Sequence, residues 1–226
     1  MPRKPKQAYD PKQSDAKPAR KQSLKPDGKA SKARSKAPGL PPVPRASRSK
    51  ATTNPKPAIP QPNAENLALI EEFRQRYPFP LDPFQEEAIA RLASDESVMV
   101  AAPTGTGKTV VAEFGIFRAH RKGFKVMYTT PIKALSNQKF RDLREQYGDA
   151  VGLLTGDVIE NREGSIIVMT TEVLRNMLLQ SPSELWGVGC VIFDEVHYLA
   201  DPERGTTWEE AIIMCPDYIQ LVCLSA

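Results

Sequence analysis

Two short stretches of this sequence carry residue types whose spacing suits phosphate chemistry. The first is APTGTGKT, made of Ala102, Pro103, Thr104, Gly105, Thr106, Gly107, Lys108 and Thr109. A phosphate-cradling loop reads G-x-x-x-x-G-K-[ST], and Ala102 stands where the first glycine of that pattern would be. Gly105 and Gly107 let the backbone curl until its N–H groups face an anion. Lys108 then reaches the β- and γ-phosphates of a nucleotide, and the Thr109 hydroxyl ligates Mg²⁺.

The second stretch is VIFDEVHYLA, where Val191, Ile192 and Phe193 run straight into adjacent carboxylates, Asp194 and Glu195. A solvated turn is the plain alternative, but a turn does not need an apolar run to aim it. A metal supplies the positive charge that makes two neighbouring carboxylates tolerable. Asp194 thus reads as a Mg²⁺ ligand, direct or through water. Glu195 reads as the group that orients and deprotonates the water attacking the γ-phosphate.

Such residues need rigid elements to bring them together. ENLALIEEFRQRY and DPFQEEAIARLA have helical apolar spacing, the second opening with Asp82 as cap and Pro83 in the first turn. Short apolar runs then alternate with helical patterns. SVMVAA, KVMYTT, VGLLTG, SIIVMT, CVIFDE and LVCLSA read as strands. A segment from about Gly107, KALSNQKFRDLREQY, TEVLRNMLLQ and TTWEEAIIM read as helices. Near-continuous apolar strands separated by helices predict an α/β fold, a mostly parallel sheet with helices on both faces. In such sheets ligands gather at the carboxyl ends of the strands, where Asp194 and Glu195 fall.

Charge divides the chain. Residues 1 to 60 hold 16 Lys and Arg against 3 Asp, a charge of +13, while the rest holds 15 basic and 24 acidic groups, a charge of −9. More than half the prolines lie in residues 1–62, which have few large apolar residues. That composition predicts a disordered basic tail, followed by one domain over 63–226. The tail lacks the apolar segment of a secretory signal, and no run in the sequence is long and apolar enough for a membrane. Dominance of Lys and Pro without amphipathic periodicity argues against an organelle transit peptide. Cys190, Cys215 and Cys223 sit in apolar contexts without metal-ligand spacing, which fits buried thiols in a reducing compartment inside the cell, cytoplasm or nucleus.

The motifs also occur in a telling order. APTGTGKT, TTPIKALSNQKF, LLTGD, VMTTEVLRNML, VIFDEVHYLADPERGTTWEE and LSA resemble the first-half motifs of superfamily 2 DExH-box helicases. PIKALSNQ, TTEVLR and DEVHYL…ERG…WEE are similar to the superkiller type, RNA helicases associated with exosome decay. The resemblance implies a RecA-like P-loop NTPase fold, with ATP and Mg²⁺ as nucleotide and metal. It makes Phe79 a stacking partner of adenine and Gln85 its hydrogen-bonding reader. It assigns Pro131, Lys133, Gln138, Gly156, Thr170 and Thr171 to the sugar-phosphate backbone of a single RNA strand, held without sequence preference. It also makes His197 a link from the nucleotide site to Ser225 and Ala226.

The sequence ends at LSA, where the family's pattern continues with Thr, and no second RecA-like domain lies within it. The expectation is the ATP-binding half of a longer ATP-dependent RNA helicase, near-inactive alone, with an RNA-decay complex as partner by resemblance. A DNA helicase or translocase, or a nucleic-acid-binding module with a switch-like or inert ATP site, remain alternatives. His120 reads as a solvated or dipole-facing helix-end residue and Trp208 as core packing rather than a base platform. The basic tail reads equally as a solvating linker and as a nonspecific RNA contact.

Overall fold

A computed structural model of the protein describes residues 62–226. The expected disordered tail lies outside these residues, save for Pro62. Two helices precede the sheet. Helix α1 (Ala64–Arg74) is capped by Asn63, whose side chain accepts the Asn66 N–H at 2.8 Å. Helix α2 (Pro83–Ala93) starts with proline in its first turn. There the Gln85 side-chain oxygen accepts the Asp82 N–H at 2.8 Å, the return half of a capping box.

The chain then alternates as expected. In order come β1 (Val98–Ala101), α3 (Thr109–Arg121), β2 (Lys125–Thr130), α4 (Lys133–Tyr147), β3 (Val151–Leu154) and β4 (Ile159–Glu160). These are followed by β5 (Ile166–Thr170), α5 (Thr171–Gln180), β6 (Val188–Phe193), α6 (Gly205–Met214) and β7 (Gln220–Ser225). The sheet order is β1-β7-β6-β2-β5-β3-β4, all parallel except the antiparallel β3–β4 pair. This is the mostly parallel, helix-covered sheet that the apolar runs imply. The two-residue β4 is too short for an apolar run to announce it. Both of its residues, Ile159 and Glu160, are exposed at the edge of the sheet.

Side chains of successive strand residues point to opposite faces, so the inner strands feed two cores, while β1 buries only Val98 and Val100. Cys190 and Ile192 pack in one core with residues of α1 to α4, among them Phe73, Phe114 and Phe140. Val191 and Phe193 enter the other core, with Leu174 of α5 and Trp208 of α6. Each fully buried side chain of this size contributes roughly 1.5–3 kcal/mol. Trp208 has no accessible surface and stacks on Tyr198 with ring centres 6.4 Å apart, which is the core role expected of it. His120, in the last turn of α3, is half-buried, edge-on to Tyr147 at 5.5 Å, with Nδ1 3.3 Å from the Ser165 hydroxyl. Among the described residues no helix is long and apolar enough to cross a membrane.

Candidate nucleotide and nucleic-acid site

Each parallel strand ends, at its carboxyl end, in residues with a candidate role. Sheet order divides them. Across β1-β7-β6 come the Ala102–Thr109 loop, Ser225 with Ala226, and Asp194 with Glu195. Across β2-β5-β3 come Pro131 with Lys133, Thr170 with Thr171, and Gly156. The residues read for nucleotide therefore share one half of the edge, and those read for a nucleic acid strand share the other.

The loop after β1 has the shape its glycines predict. Gly105 and Gly107 have φ of +84° and +78°, a region costly for side-chain-bearing residues. A Cβ on Gly107 would also lie 2.7 Å from Gln85 Nε2, which donates to the Gly107 carbonyl at 3.0 Å. The loop leads into the N-terminus of α3, where unpaired N–H groups and the helix dipole favour an anion. Lys108 Nζ donates to the carbonyls of Ala102 at 2.5 Å and Pro103 at 3.1 Å, so its ammonium lies across the loop. The Thr106 hydroxyl donates to Pro103 as well, at 2.8 Å. Thr109 is exposed at the first position of α3.

The carboxylate pair at the end of β6 is held by backbone geometry. Asp194 N–H donates to the Thr129 carbonyl at 3.0 Å, extending the β2–β6 ladder by one residue. Glu195 then leaves the strand with φ +59° and ψ +46°, a left-handed conformation that costs a non-glycine residue roughly 1–3 kcal/mol. Its N–H turns back to Asp194 Oδ1 at 3.0 Å, and its Oε2 lies 3.2 Å from His197 Nδ1. Asp194 Oδ2 accepts from the hydroxyl of Tyr128 at 2.7 Å. Burial, with the Asp194 charge next to it, pushes the Tyr128 phenol well above its ordinary range, so it is a donor there.

These residues fit Mg²⁺ with a nucleotide. Mg²⁺ in such sites takes one or two protein oxygens and fills its octahedron with phosphate oxygens and water. Thr109 and Asp194 offer one hydroxyl and one carboxylate, and the glycine loop leaves open space at Gly105. Among the described residues there is no group of three or more His, Cys, Asp or Glu that could cage a metal. The thiols are poor candidates: burial pushes Cys190 and Cys215 up to about 12 and Cys223 up to about 11.

The other assignments land as follows. Phe79 is 54 % exposed beside Tyr77, so its face is open to a planar ligand. Gln85 is buried, with its oxygen on Asp82 and its nitrogen on Gly107. The structure joins Ser225 to the phosphate loop, through Ala102 N–H to the Ser225 carbonyl at 3.2 Å, while His197 pairs with Glu195. Lys133 Nζ sits 2.8 Å from Asp157, whose carboxyl Lys133 holds below the usual range. Gln138 and Gly156 are exposed. Thr171 has no accessible surface and its hydroxyl points to the Thr130 carbonyl at 3.4 Å, so it braces the start of α5 instead of facing a ligand.

Pro131, Lys133, Gly156 and Thr170 line one groove of about 590 Å³. Arg204 and Asn176 line it too, and neither stood out by spacing. Arg204 was visible only as part of ERG. In the structure its Nη1 donates to the Pro131 carbonyl at 3.2 Å, which draws the loop before α6 onto the end of β2.

A glycine-lysine-threonine loop and an acidic strand end on a parallel, two-faced sheet define a RecA-like P-loop domain. A family model for the DEAD/DEAH box helicases matches residues 82–226, and the chain belongs to that family. Its relatives place it with the superkiller type of superfamily 2. It is 52% identical over 159 residues to the antiviral helicase SKI2 of Saccharomyces cerevisiae, covering 70% of this chain and 12% of SKI2. It is 53% identical over 150 residues to the ATP-dependent RNA helicase mtr4 of Schizosaccharomyces pombe, covering 66% of this chain and 13% of that protein. Among solved structures, the Mycobacterium smegmatis helicase Lhr bound to ssDNA and AMP-PNP superposes with a TM-score of 0.56 at 30% identity. That match covers 70% of this chain and 24% of Lhr. The chain thus spans a small fraction of the proteins it matches.

Proposed function

We propose that this chain is the ATP-binding half of an ATP-dependent RNA helicase, holding Mg-ATP and a single RNA strand side by side. The observation that carries the reading is the division of one sheet edge into two halves that meet at β6 and β2. Its first part is the nucleotide site. Lys108 moves from the Ala102 and Pro103 carbonyls onto the β- and γ-phosphates, while loop N–H groups and the α3 terminus hold the rest of the triphosphate. Mg²⁺, when bound, neutralises charge building on the phosphate oxygens. Thr109 and Asp194 would hold it. Glu195 orients a water and takes its proton, with His197 against its far oxygen. Phe79 stacks on the adenine, whose edge Gln85 reads with its remaining N–H.

The second part is the strand groove, where Lys133 and Arg204 supply charge and the N-terminus of α5 supplies backbone N–H groups. Coupling of hydrolysis to unwinding needs a second RecA-like domain to alternate grip. A reducing intracellular location is part of the proposal, supported by three free cysteines. So is an RNA-decay assembly as partner, which rests on the resemblance of PIKALSNQ, TTEVLR and DEVHYL to superkiller-type motifs. A DNA strand is the competing reading, favoured by the ssDNA in the Lhr structure. Anisotropy with labelled oligo-U and oligo-dT, with and without a non-hydrolysable ATP analogue, separates them. RNA should bind more tightly and in a nucleotide-dependent way. Equal or tighter binding of DNA would overturn the RNA assignment.

A further inference from the structure

We propose that Tyr128 is a positioning residue for Asp194, fixing the carboxylate that receives the metal. The proposal rests on the nucleotide reading above and adds a residue from the other half of the edge. Tyr128 belongs to β2, the first strand on the nucleic-acid side, and lies in register with Ile192 of β6. Two residues beyond Ile192 the chain reaches Asp194, on the same face as the Tyr128 ring. The phenol crosses between the strands and donates to Oδ2 at 2.7 Å, while Oδ1 takes the Glu195 N–H at 3.0 Å.

Each carboxylate oxygen has two lone-pair sites, so each donor leaves one open. The terminal torsion of an aspartate is soft and roughly two-fold. A single donor would leave the plane of the carboxylate free to rock about it. Two donors on different elements fix that plane, and with it the direction of the remaining lone pairs. Tyr128 itself cannot swing away. It is 1 % exposed, and the Lys139 ammonium of α4 lies over its ring, 5.4 Å from the centre. Lys139 follows Gln138, a candidate strand contact, so a shift of α4 bears directly on the ring that holds Asp194.

A buried phenol also needs a partner for its own sake, and the test has to separate that structural role from positioning. Tyr128→Phe removes the hydroxyl alone. Binding of a fluorescent ATP analogue by the 226-residue chain is measured across a MgCl₂ titration and again in EDTA, alongside the thermal midpoint. Loss of a hydrogen-bonding partner behind a metal ligand typically lowers metal affinity about 10- to 100-fold, and the Mg²⁺ midpoint should rise by about tenfold. Affinity in EDTA should stay at the wild-type value. An unchanged Mg²⁺ midpoint overturns the proposal. So does equal weakening with and without Mg²⁺, which marks a purely structural hydroxyl. Wild-type chain whose nucleotide binding ignores Mg²⁺ overturns the metal-site reading itself, and this inference with it.

Discussion

The side-chain amide of Gln85 donates to the carbonyl of Gly107 at 3.0 Å, joining the first turn of α2 to the phosphate loop. Its oxygen is held by the Asp82 N–H, so the amide orientation is fixed at both ends. One N–H and one lone pair remain for a base. Gln85→Ala removes both the tie and the reader. Affinity for GTP should fall about threefold from loss of one ordinary hydrogen bond, and affinity for ATP should fall further. Calorimetry with both nucleotides checks this. Equal losses would leave Gln85 as a loop tie and end its role in reading adenine.

Lys108 and Glu195 should separate binding from turnover. Lys108→Ala removes the point charge at the phosphates and should weaken ATP binding. Glu195→Gln keeps size and polarity but cannot accept the proton. It should bind ATP normally and lose about 10²- to 10⁴-fold in hydrolysis, measured with this domain joined to a second RecA-like domain. Normal turnover in Glu195→Gln would remove Glu195 from the water-activating role.

Much of this site was readable along the chain, because the chemistry sits at the ends of near-continuous apolar runs. Val191 to Phe193 announced a buried strand, and what followed it had to lie at the carboxyl edge. Gly105 and Gly107 announced a loop needing positive φ. The contacts between segments were not readable. Alternation gives the face of Tyr128 but not its partner, which depends on β2 lying beside β6 although 66 residues separate Tyr128 from Asp194. Gln85 and Gly107, 22 residues apart, meet only because α2 folds back over the loop. The resemblance alone made Thr171 a strand contact, and the packing that buries its side chain against Thr130 is not written in the motif.

Contributions of the groove and of the tail to RNA binding can be measured separately. Lys133 must exchange Asp157 for a phosphate, so Lys133→Ala should weaken binding evenly across sequences. The log–log salt slope should fall by about 0.7, because one RNA phosphate is no longer neutralised. Deleting residues 1 to 60 should leave ATP affinity unchanged and lower the slope by about 0.7 for each phosphate that the tail neutralises. Titrations with labelled RNA at several salt concentrations read both. An unchanged slope after deletion would make the tail a linker or an address.

Gly205 should prove a stability residue, for a reason visible only in three dimensions. Past Glu195 the chain makes a 3₁₀ turn over Val196–Ala200 and then reverses at Asp201, whose side chain accepts the Glu203 N–H at 2.9 Å and the Arg204 N–H at 3.1 Å. The reversal brings Gly205 back under that turn, and a Cβ there would lie 2.4 Å from the Leu199 carbonyl oxygen. The obstacle is backbone, so no side chain can rotate to relieve it. Gly205 is buried at the start of α6, and the helix cannot back away without unseating Trp208 from its core. Gly205→Ala should therefore lower unfolding free energy by about 1–3 kcal/mol, despite alanine's better helix propensity. Thr206→Ala, one exposed position later, should stay within about 0.5 kcal/mol of wild type. Urea unfolding of the three proteins decides it, and equal midpoints for Gly205→Ala and Thr206→Ala would show that the turn yields.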